Sequence, residues 1–281
     1  MPSQSPQMKR FVSIFLIVIL VGACHSNDSN DTTSTASVGG VETAPLINYA
    51  VVATYPHDST SFTEGLLFHK GRLFESTGSP ESIPVTRSLV GEVDLQTGEI
   101  NPRIELDRKK YFGEGISFLG NKLFQLTYTG NQGFVYDETS YKQIGEFKFP
   151  GREGWGMTTD SSRLIMSDGT HRLFYIDPST LNTVKTLEVS WNNVLVDSLN
   201  ELEFVKGYIY ANRYTHNYIL KIDTTTGKVL GRIDLNSLVM EAKNQYPLSL
   251  ELNGIAYDPA QDRFFVTGKL WQHIYVIGFA H

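Results

Sequence analysis

Short apolar runs separated by turn residues occupy most of the chain from about residue 46 onwards. Five segments share one pattern, in which an apolar strand, a turn rich in Gly, Asn or Asp, and a second strand of hydrophobic and aromatic residues follow one another. Such a pattern predicts β-hairpins. The five copies are EGLLFHKGRLFESTG from Glu64, EGISFLGNKLFQLTY from Glu114, WGMTTDSSRLIMSDG from Trp155, NELEFVKGYIYANRY from Asn200 and NGIAYDPAQDRFFVTGK from Asn253.

The copies start 50, 41, 45 and 53 residues apart, and a second pattern follows them in phase. In this second pattern a strand ends in a turn that an Asp side chain closes, by accepting hydrogen bonds from backbone amides just after it. The turns are VDLQTG at Val93, YDETS at Tyr136, IDPSTL at Ile176 and IDTTTG at Ile222. Each period therefore holds about four strands in roughly 40 to 50 residues, which is the spacing of propeller blades.

The two ends of the folded segment predict how a ring of blades would close. The fifth copy lacks the Asp turn because the chain ends with LWQHIYVIGFAH, three strands into the blade. The segment INYAVVATYP, Ile47 to Pro56, can supply the missing strand and so remove the open sheet edges. The sequence thus predicts an all-β fold, a five-bladed β-propeller whose last blade is closed by the N-terminal strand. A solenoid is the alternative, but the one helix candidate, Leu235 to Tyr246, is short.

The first residues have the pattern of a targeting segment. Lys9 and Arg10 precede the apolar run FVSIFLIVILVGA, Phe11 to Ala23, which Cys24 follows at once. Thirteen apolar residues are few for a membrane span but suit the apolar region of a signal peptide. The segment VGAC resembles a bacterial lipobox, which implies cleavage before Cys24 and a lipid on its thiol. A signal peptide cut elsewhere, with Cys24 incidental, is the alternative; Cys24 is the single cysteine, so no disulfide can form within the chain.

The segment from His25 to Pro45 is crowded with Ser, Thr, Asn and Asp and contains no aromatic residue. Such a composition cannot bury a core and predicts a flexible tether. The predicted organisation is a lipoprotein signal peptide over residues 1–23, a tether over residues 24–45 and a propeller domain over residues 46–281. We therefore expect a protein of the bacterial cell envelope, held at the membrane by a lipid anchor and facing the periplasm or the exterior.

Composition narrows the class of protein further. The 281 residues are 41% hydrophobic and 12% aromatic, which is ample for a folded core. The formal net charge of −6 gives no basic excess, so nucleic acid is not an expected partner. A closed propeller needs no partner to cover strand edges, so a monomer is expected.

Aligning the five repeats places polar and aromatic side chains together. In a hairpin the start of the first strand lies beside the end of the second, and ring symmetry brings these positions to one mouth of the central channel. The starting positions are Glu64, Glu114, Trp155, Asn200 and Asn253. The ending positions are Gly78, Tyr128, Gly169, Tyr214 and Lys269. Aromatic walls with a few convergent polar groups are typical of a small-ligand site, and a polar plug that bonds only to itself is the alternative.

Other chemistries find less support in the sequence. The seven histidines show no paired metal-ligand spacing, and neither a phosphate-binding loop nor a G-x-S-x-G motif is present. No metal and no other cofactor is expected. A Ser-His-Asp hydrolase stays open on residue types alone. A calcium-dependent propeller hydrolase is a further alternative, because Glu64, Glu114, Asn200 and Asn253 offer oxygen ligands, and a non-catalytic propeller that binds peptides or proteins is another.

A set of motifs extends in order from about Phe62 to Trp271. They are FTEGLLF, LFESTG, YFGEGI, GWGMTTD, SDGT, LNELEF, LNGIAYD and VTGKLW. With them the chain resembles the plant and bacterial type of glutaminyl-peptide cyclotransferase. The resemblance implies a five-bladed propeller that acts on peptides or proteins with N-terminal glutamine, converting the glutamine to pyroglutamate and releasing ammonia.

The resemblance also implies roles for single residues. The catalytic positions of the family fall on Glu114 in FGEG, Asn200 in LNELE and Lys269 in VTGK. The substrate-binding positions, together with those from the repeat alignment, are Phe62, Glu64, Phe112, Tyr128, Trp155, Tyr214 and Asn253. This chain departs from the plant-like pattern by carrying Tyr128 and Tyr214 in place of tryptophans and Glu64 in place of a glutamine.

These assignments imply a mechanism in which Glu114 shuttles the proton of the substrate amine. Lys269 or the side-chain amide of Asn200 would stabilise the oxyanion. For Lys269, a purely structural salt bridge to Glu201 or Glu203 is the alternative.

Overall fold

The structure is a computed structural model, and it describes residues 44–281. The predicted signal peptide, Cys24 and residues 24–43 of the predicted tether lie outside the described residues and stay predictions. Within residues 44–281, no helix combines the length and the apolar character needed to cross a bilayer.

The described residues form five four-stranded antiparallel sheets; four are each built from one repeat period, and the fifth takes one strand from before the first repeat. The strand that precedes the first repeat is β1 (Ala50–Pro56). Blade 1 contains β2 (Phe62–His69), β3 (Arg72–Gly78), β4 (Leu89–Val93) and β5 (Ile100–Glu105). Blade 2 contains β6 (Gly113–Leu119), β7 (Lys122–Thr127), β8 (Gln132–Asp137) and β9 (Gln143–Lys148). Blade 3 contains β10 (Met157–Thr159), β11 (Leu164–Ser167), β12 (Arg172–Ile176) and β13 (Thr183–Glu188).

A small two-stranded sheet, β14 (Ser190–Trp191) with β15 (Val194–Leu195), connects blade 3 to blade 4. Blade 4 contains β16 (Leu199–Val205), β17 (Tyr208–Arg213), β18 (Tyr218–Asp223) and β19 (Val229–Asp234). The helix α1 (Asn236–Gln245) then leads to blade 5, and it lies where the sequence predicted a short helix. Blade 5 contains β20 (Leu252–Asp258), β21 (Arg263–Gly268), β22 (His273–Gly278) and β1.

The first strands of the blades contact one another around a ring. β2 contacts β6 and β20, β10 contacts β6 and β16, and β16 contacts β20. Since every first strand has two such neighbours, the ring is closed with five blades. Five clusters of buried apolar side chains fill the spaces between neighbouring blades, one cluster for each interface. The predicted five-bladed propeller is thus confirmed.

The N-terminal strand completes the last blade, as the sequence predicts. β1 pairs antiparallel with β22, with Ala50 opposite Gly278 at one end and Pro56 opposite His273 at the other. The chain packs against the propeller slightly earlier than the expected boundary at Leu46. Ala44 is already buried, and the carbonyl oxygen of Pro45 accepts a hydrogen bond from the amide of Arg232, 2.9 Å away.

A β-bulge recurs at the mouth end of four of the first strands. The register shifts fall between Thr63 and Gly65, between Gly113 and Ile116, between Leu199 and Leu202, and between Leu252 and Ile255. The polar residues inside these bulges are Glu64, Glu114, Asn200 and Asn253. A bulge bends its strand and changes the direction of the extra side chain. The bulges therefore set the direction in which each of these four polar side chains leaves its strand.

Candidate active site

A cavity of about 360 Å³ opens where the first strands begin, at one mouth of the channel. It is lined by Phe62, Glu64, Pro80, Phe112, Glu114, Tyr128, Trp155, Asn200, Tyr214 and Lys269. Nine of these ten residues were predicted from the sequence, and they come from all five blades. Pro80, in the loop between β3 and β4, was not predicted.

The aromatic side chains form most of the wall of this cavity. Phe62 contacts Phe112 edge-on with their ring centroids 5.9 Å apart, and Phe112 contacts Tyr128 at the same centroid distance. On the other side, Trp155 contacts Tyr214 edge-on at 5.5 Å. Offset and edge-on ring pairs of this kind are favourable and stiffen a surface.

Two glycines at predicted mouth positions make room for these rings. A Cβ atom on Gly78 would lie 2.1 Å from the ring of Phe112, and one on Gly169 would lie 2.7 Å from the indole of Trp155. The two rings therefore pack directly against the backbone at Gly78, which ends β3, and at Gly169, which follows β11. Any side chain at Gly78 or Gly169 would push a wall residue into the cavity.

Glu114 presents a buried carboxyl group to the cavity. Its residue surface is only 4% exposed, and none of the described residues forms a hydrogen bond with its carboxyl oxygens. Burial raises the pKa of Glu114 well above its usual range, the neighbouring Glu64 carboxylate raises it further, and Lys269 opposes both. Glu114 is thus a weak acid without a hydrogen-bonding protein partner, at a site where a ligand can reach it.

Glu64 is held from two sides. Nζ of Lys269 donates to Oε1 of Glu64 at 2.7 Å, and Nδ2 of Asn253 donates to Oε2 at 3.1 Å. Burial raises the pKa of Glu64, against the effect of Lys269, which lowers it. Nζ of Lys269 also lies 4.4 Å from the ring centroid of Phe62 and 5.7 Å from that of Tyr214. The ammonium group therefore also makes cation–π contacts with the rings of Phe62 and Tyr214.

Asn253, which the sequence predicted to bind substrate, does not line the cavity in this structure. Asn253 is 1% exposed and does not line the cavity, because its side-chain amide turns toward blade 1 and also donates to the carbonyl oxygen of Thr63 at 3.0 Å. Its Nδ2 atom is directed to Glu64 rather than to the ligand space. Asn253 therefore supports a pocket residue from behind.

The structural alternative for Lys269 is wrong, because neither Glu201 nor Glu203 reaches it. The carboxylate of Glu201 accepts hydrogen bonds from the amides of Leu66 at 3.3 Å and Ile255 at 2.8 Å, and so joins blade 4 to blades 1 and 5. Glu203 accepts a hydrogen bond from the amide of Tyr257 at 2.9 Å. Both carboxyl groups fill the channel without contacting the ammonium group.

Asn200 lies in the cavity wall with its side chain unengaged. It is 4% exposed, and its Oδ1 atom is buried without a hydrogen-bond partner among the described residues. An unpaired buried amide is costly unless a ligand completes its hydrogen bonding. Its backbone carbonyl oxygen accepts a hydrogen bond from the hydroxyl of Ser167, 2.7 Å away, which fixes the position of the residue.

Glu153 is a residue of this site that the sequence interpretation missed. Its Oε2 atom accepts a hydrogen bond from Nε1 of Trp155 at 2.9 Å, and its charge acts on both Tyr128 and Glu114. The repeat alignment assigned no position to it, because it precedes the mouth position of blade 3 by two residues. The tripeptide Glu-Gly-Trp, which puts a carboxylate beside an indole, is the signal that could have found it.

The oxygen ligands of the calcium alternative are not gathered around one point. Asn253 donates to Glu64 and lies outside the cavity, and the other oxygen of Glu64 is occupied by Lys269. Among residues 44–281, no three His, Cys, Asp or Glu side chains are grouped as metal ligands.

A larger groove, of about 880 Å³, runs along the outer strands of blade 1 and contains none of the predicted site residues.

The fold and the cavity define a β-propeller with a small-ligand pocket at one mouth, in which an unpaired carboxyl group faces an aromatic wall. The family model for glutamine cyclotransferases matches residues 16–279 of the chain. The chain belongs to the glutamine cyclotransferase family.

Two individual relatives are similar to the chain. A glutaminyl-peptide cyclotransferase from Arabidopsis thaliana is 39% identical over 229 residues, which cover 81% of this chain and 70% of the relative. The crystal structure of a glutaminyl cyclase from Myxococcus xanthus superposes with a TM-score of 0.76 and 31% identity. That match covers 84% of this chain and 98% of the other.

Proposed function

We propose that the protein is a glutaminyl-peptide cyclotransferase, which converts the N-terminal glutamine of peptides and proteins to pyroglutamate and releases ammonia. The observation that carries this proposal is the carboxyl group of Glu114. It is buried, has no hydrogen-bonding partner among the described residues and faces a cavity walled by aromatic rings. Membership of the glutamine cyclotransferase family supports the same reaction.

The reaction joins two ends of one residue. The α-amino nitrogen of the glutamine attacks the carbon of its own γ-amide, and a tetrahedral intermediate forms. The bond from this carbon to the amide nitrogen then breaks, so that a five-membered lactam remains and ammonia leaves. A proton must move from the attacking nitrogen to the leaving nitrogen.

Glu114 is the group we assign to this proton transfer. A free α-amine has a pKa of about 8, so a base of ordinary carboxylate strength would accept its proton poorly. Burial and the charge of Glu64 raise the pKa of Glu114 well above its usual range, which brings the donor and the acceptor closer in strength. The same carboxyl group can then return the proton to the departing ammonia.

Asn200 and Lys269 remain the candidates for the developing oxyanion. Asn200 lines the cavity and no hydrogen bond among the described residues engages its side-chain nitrogen, so its N–H can donate to the γ-carbonyl oxygen as charge develops there. One N–H of Lys269 donates to Glu64. The positive charge of the ammonium group adds to the stabilisation of the oxyanion by the Asn200 amide. We assign the direct hydrogen bond to Asn200 and the longer-range stabilisation to Lys269.

The aromatic wall would hold the glutamine side chain folded toward its own amine. Phe112, Tyr128, Trp155 and Tyr214 surround the cavity on two sides. Confining the two reacting ends near each other and excluding water contributes to the rate without any further chemistry.

The experiment that tests this function measures ammonia release from a dipeptide with N-terminal glutamine, together with the mass of the product. We expect one ammonia for each pyroglutamyl product. The matched control is the same dipeptide with its α-amine acetylated, which cannot attack and should release none. A purified, folded protein that binds the free dipeptide and releases no ammonia would point instead to a peptide-binding propeller.

We further propose that the protein is held at a bacterial envelope membrane through a lipid on Cys24 and acts there as a monomer. The charged start of the chain, the short apolar run and the VGAC segment support this proposal. Incorporation of labelled palmitate should disappear in the Cys24→Ser variant, and labelling that persists in the variant would refute the anchor. Light scattering of the released domain would test the monomer.

A further inference from the structure

The wall of the cavity has one gap between its rings. Ring contacts join Phe62 to Phe112 and Phe112 to Tyr128. Another ring contact joins Trp155 to Tyr214, and the ammonium group of Lys269 bridges from Tyr214 back to Phe62. Among the described residues, no ring contact joins Tyr128 of blade 2 to Trp155 of blade 3, and Glu153 lies at this gap.

The backbone holds Glu153 at this interface between two blades. Glu153 forms an antiparallel bridge with Thr129, and the amide of Gly154 donates to the carbonyl oxygens of Thr127 at 3.2 Å and Tyr128 at 3.1 Å. A Cβ atom on Gly154 would lie 2.8 Å from the oxygen of Thr127, so only glycine allows this approach. The segment before Trp155 is thereby fixed to the end of β7.

The carboxylate of Glu153 bonds to one side of the gap, and the backbone of Glu153 is fixed to the other. Its Oε2 atom accepts the hydrogen bond of the Trp155 indole at 2.9 Å, which sets the rotation of that ring. On the other side, the backbone of Glu153 bridges Thr129 and the next amide, that of Gly154, donates to the carbonyl oxygen of Tyr128, so Glu153 lies beside Tyr128. Burial first, and the charge of Glu153 after it, raise the pKa of Tyr128.

We propose that Glu153 is a positioning residue, which joins Tyr128 to Trp155 and so fixes the wall against which the N-terminal glutamine binds. The proposal rests on the proposed cyclotransferase function, since it concerns the binding of that substrate. Glu153 acts through the two aromatic residues, and its removal should weaken substrate binding more than it slows the proton transfer. For the position of the Trp155 indole, the property that matters is the hydrogen-bond acceptor.

The test compares Glu153→Ala with Glu153→Gln in steady-state cyclisation of a dipeptide with N-terminal glutamine. Glu153→Ala should raise KM roughly 5- to 20-fold with kcat changed less than about twofold, because it loses the acceptor for the indole. Glu153→Gln keeps an acceptor oxygen and should restore KM to within about threefold of wild type. Glu146→Ala, which removes a carboxylate on β9 away from the cavity, is the matched control and should have wild-type constants.

A second comparison isolates the link to Tyr128. If the Tyr128 hydroxyl acts through Glu153, Tyr128→Phe should raise KM in the wild-type background and have no further effect in Glu153→Ala, because the neighbouring carboxylate is then already absent. Equal melting temperatures of the variants exclude unfolding as the cause of a raised KM.

The outcomes separate this inference from the function it rests on. Wild-type KM in Glu153→Ala, an unrescued Glu153→Gln, or a loss confined to kcat would overturn the positioning role and leave the cyclotransferase standing. Wild-type protein that releases no ammonia would overturn the proposed function, and this inference with it.

Discussion

Nζ of Lys269 lies 2.7 Å from Oε1 of Glu64, and both side chains are almost fully buried at the mouth of the propeller. The pair leaves Glu114 as the carboxyl group of the cavity without a bonded partner among the described residues. It also places a second negative charge close enough to Glu114 to raise its pKa. The pair thus influences the pH range in which Glu114 can accept a proton.

Replacing Glu64 should change the pH dependence more than the maximal rate. The Glu64 carboxylate raises the pKa of Glu114, and Lys269 lowers it. Glu64→Gln removes the negative charge that raises this pKa, and it also frees the ammonium group of Lys269 to lower the pKa further. Both changes lower the pKa of Glu114. We expect Glu64→Gln to stay active and to show the acid limb of its kcat/KM profile at lower pH than wild type; a limb that moves upward would contradict this coupling.

Breaking the pair from the other side should destabilise the fold. Lys269→Met leaves the Glu64 carboxyl group buried without its cation, and loss of one partner of a buried ion pair typically removes about 3–5 kcal/mol of stability. Lys269→Met combined with Glu64→Gln should recover most of that loss, because no buried charge then remains unpaired. Urea unfolding of wild type, the two single variants and the double variant measures this, and additive losses in the double variant would show that the two side chains are not coupled.

The carboxyl group of Glu203 should make stability depend on pH. Burial raises its pKa from 4.5 to about 8 in the folded protein. Between these values the unfolded chain gives up this proton while the folded protein keeps it, so the free energy of unfolding falls as pH rises. Glu203→Gln does not titrate and can still accept the hydrogen bond from the amide of Tyr257.

The melting temperature of Glu203→Gln relative to wild type should therefore increase as pH is raised from 5 to about 8. Glu146→Gln, a change on the surface of blade 2, should show no such trend. A constant difference between Glu203→Gln and wild type over this range would contradict the effect of burial on the pKa of Glu203.

The closing strand can be tested by moving the start of the chain. A protein that starts at Ala44 keeps β1 and its pairing with β22, and should melt like the full mature chain. A protein that starts at His57 lacks β1 and exposes the edge of β22, so its melting temperature should fall by roughly 10 °C or more. Equal melting temperatures of the two proteins would show that β1 contributes nothing to ring closure.

The repeat pattern was sufficient to predict the fold. It also predicted that most site residues lie at one mouth of the central channel. The hairpin period gave the number of blades, and the aligned starts and ends of strands gave a common mouth, at which Trp155 and Tyr214 indeed meet. Those positions follow from the local periodicity of strands and turns, which a sequence displays directly.

The directions of side chains were harder to predict, because they depend on contacts between blades. An alignment places Asn253 at the same mouth position as Glu64, but its side-chain amide lies behind that residue and donates to it. The salt bridge from Lys269 to Glu201 or Glu203, which the sequence left as an alternative, is not formed, and Lys269 pairs with Glu64 of blade 1 instead. Glu153 was missed because it belongs to neither strand position and gains its contacts only where blades 2 and 3 meet.

The most direct test of the account is the kcat of the Glu114→Gln variant on a dipeptide with N-terminal glutamine. The amide keeps the size of the side chain but cannot accept the proton of the substrate amine. A positioned acid–base group contributes about 10²–10⁴-fold, so kcat should fall by that factor, with a smaller change in KM and an unaltered melting temperature. A Glu114→Gln variant that cyclises the dipeptide with near-normal kcat would contradict the assignment of Glu114 as the proton shuttle.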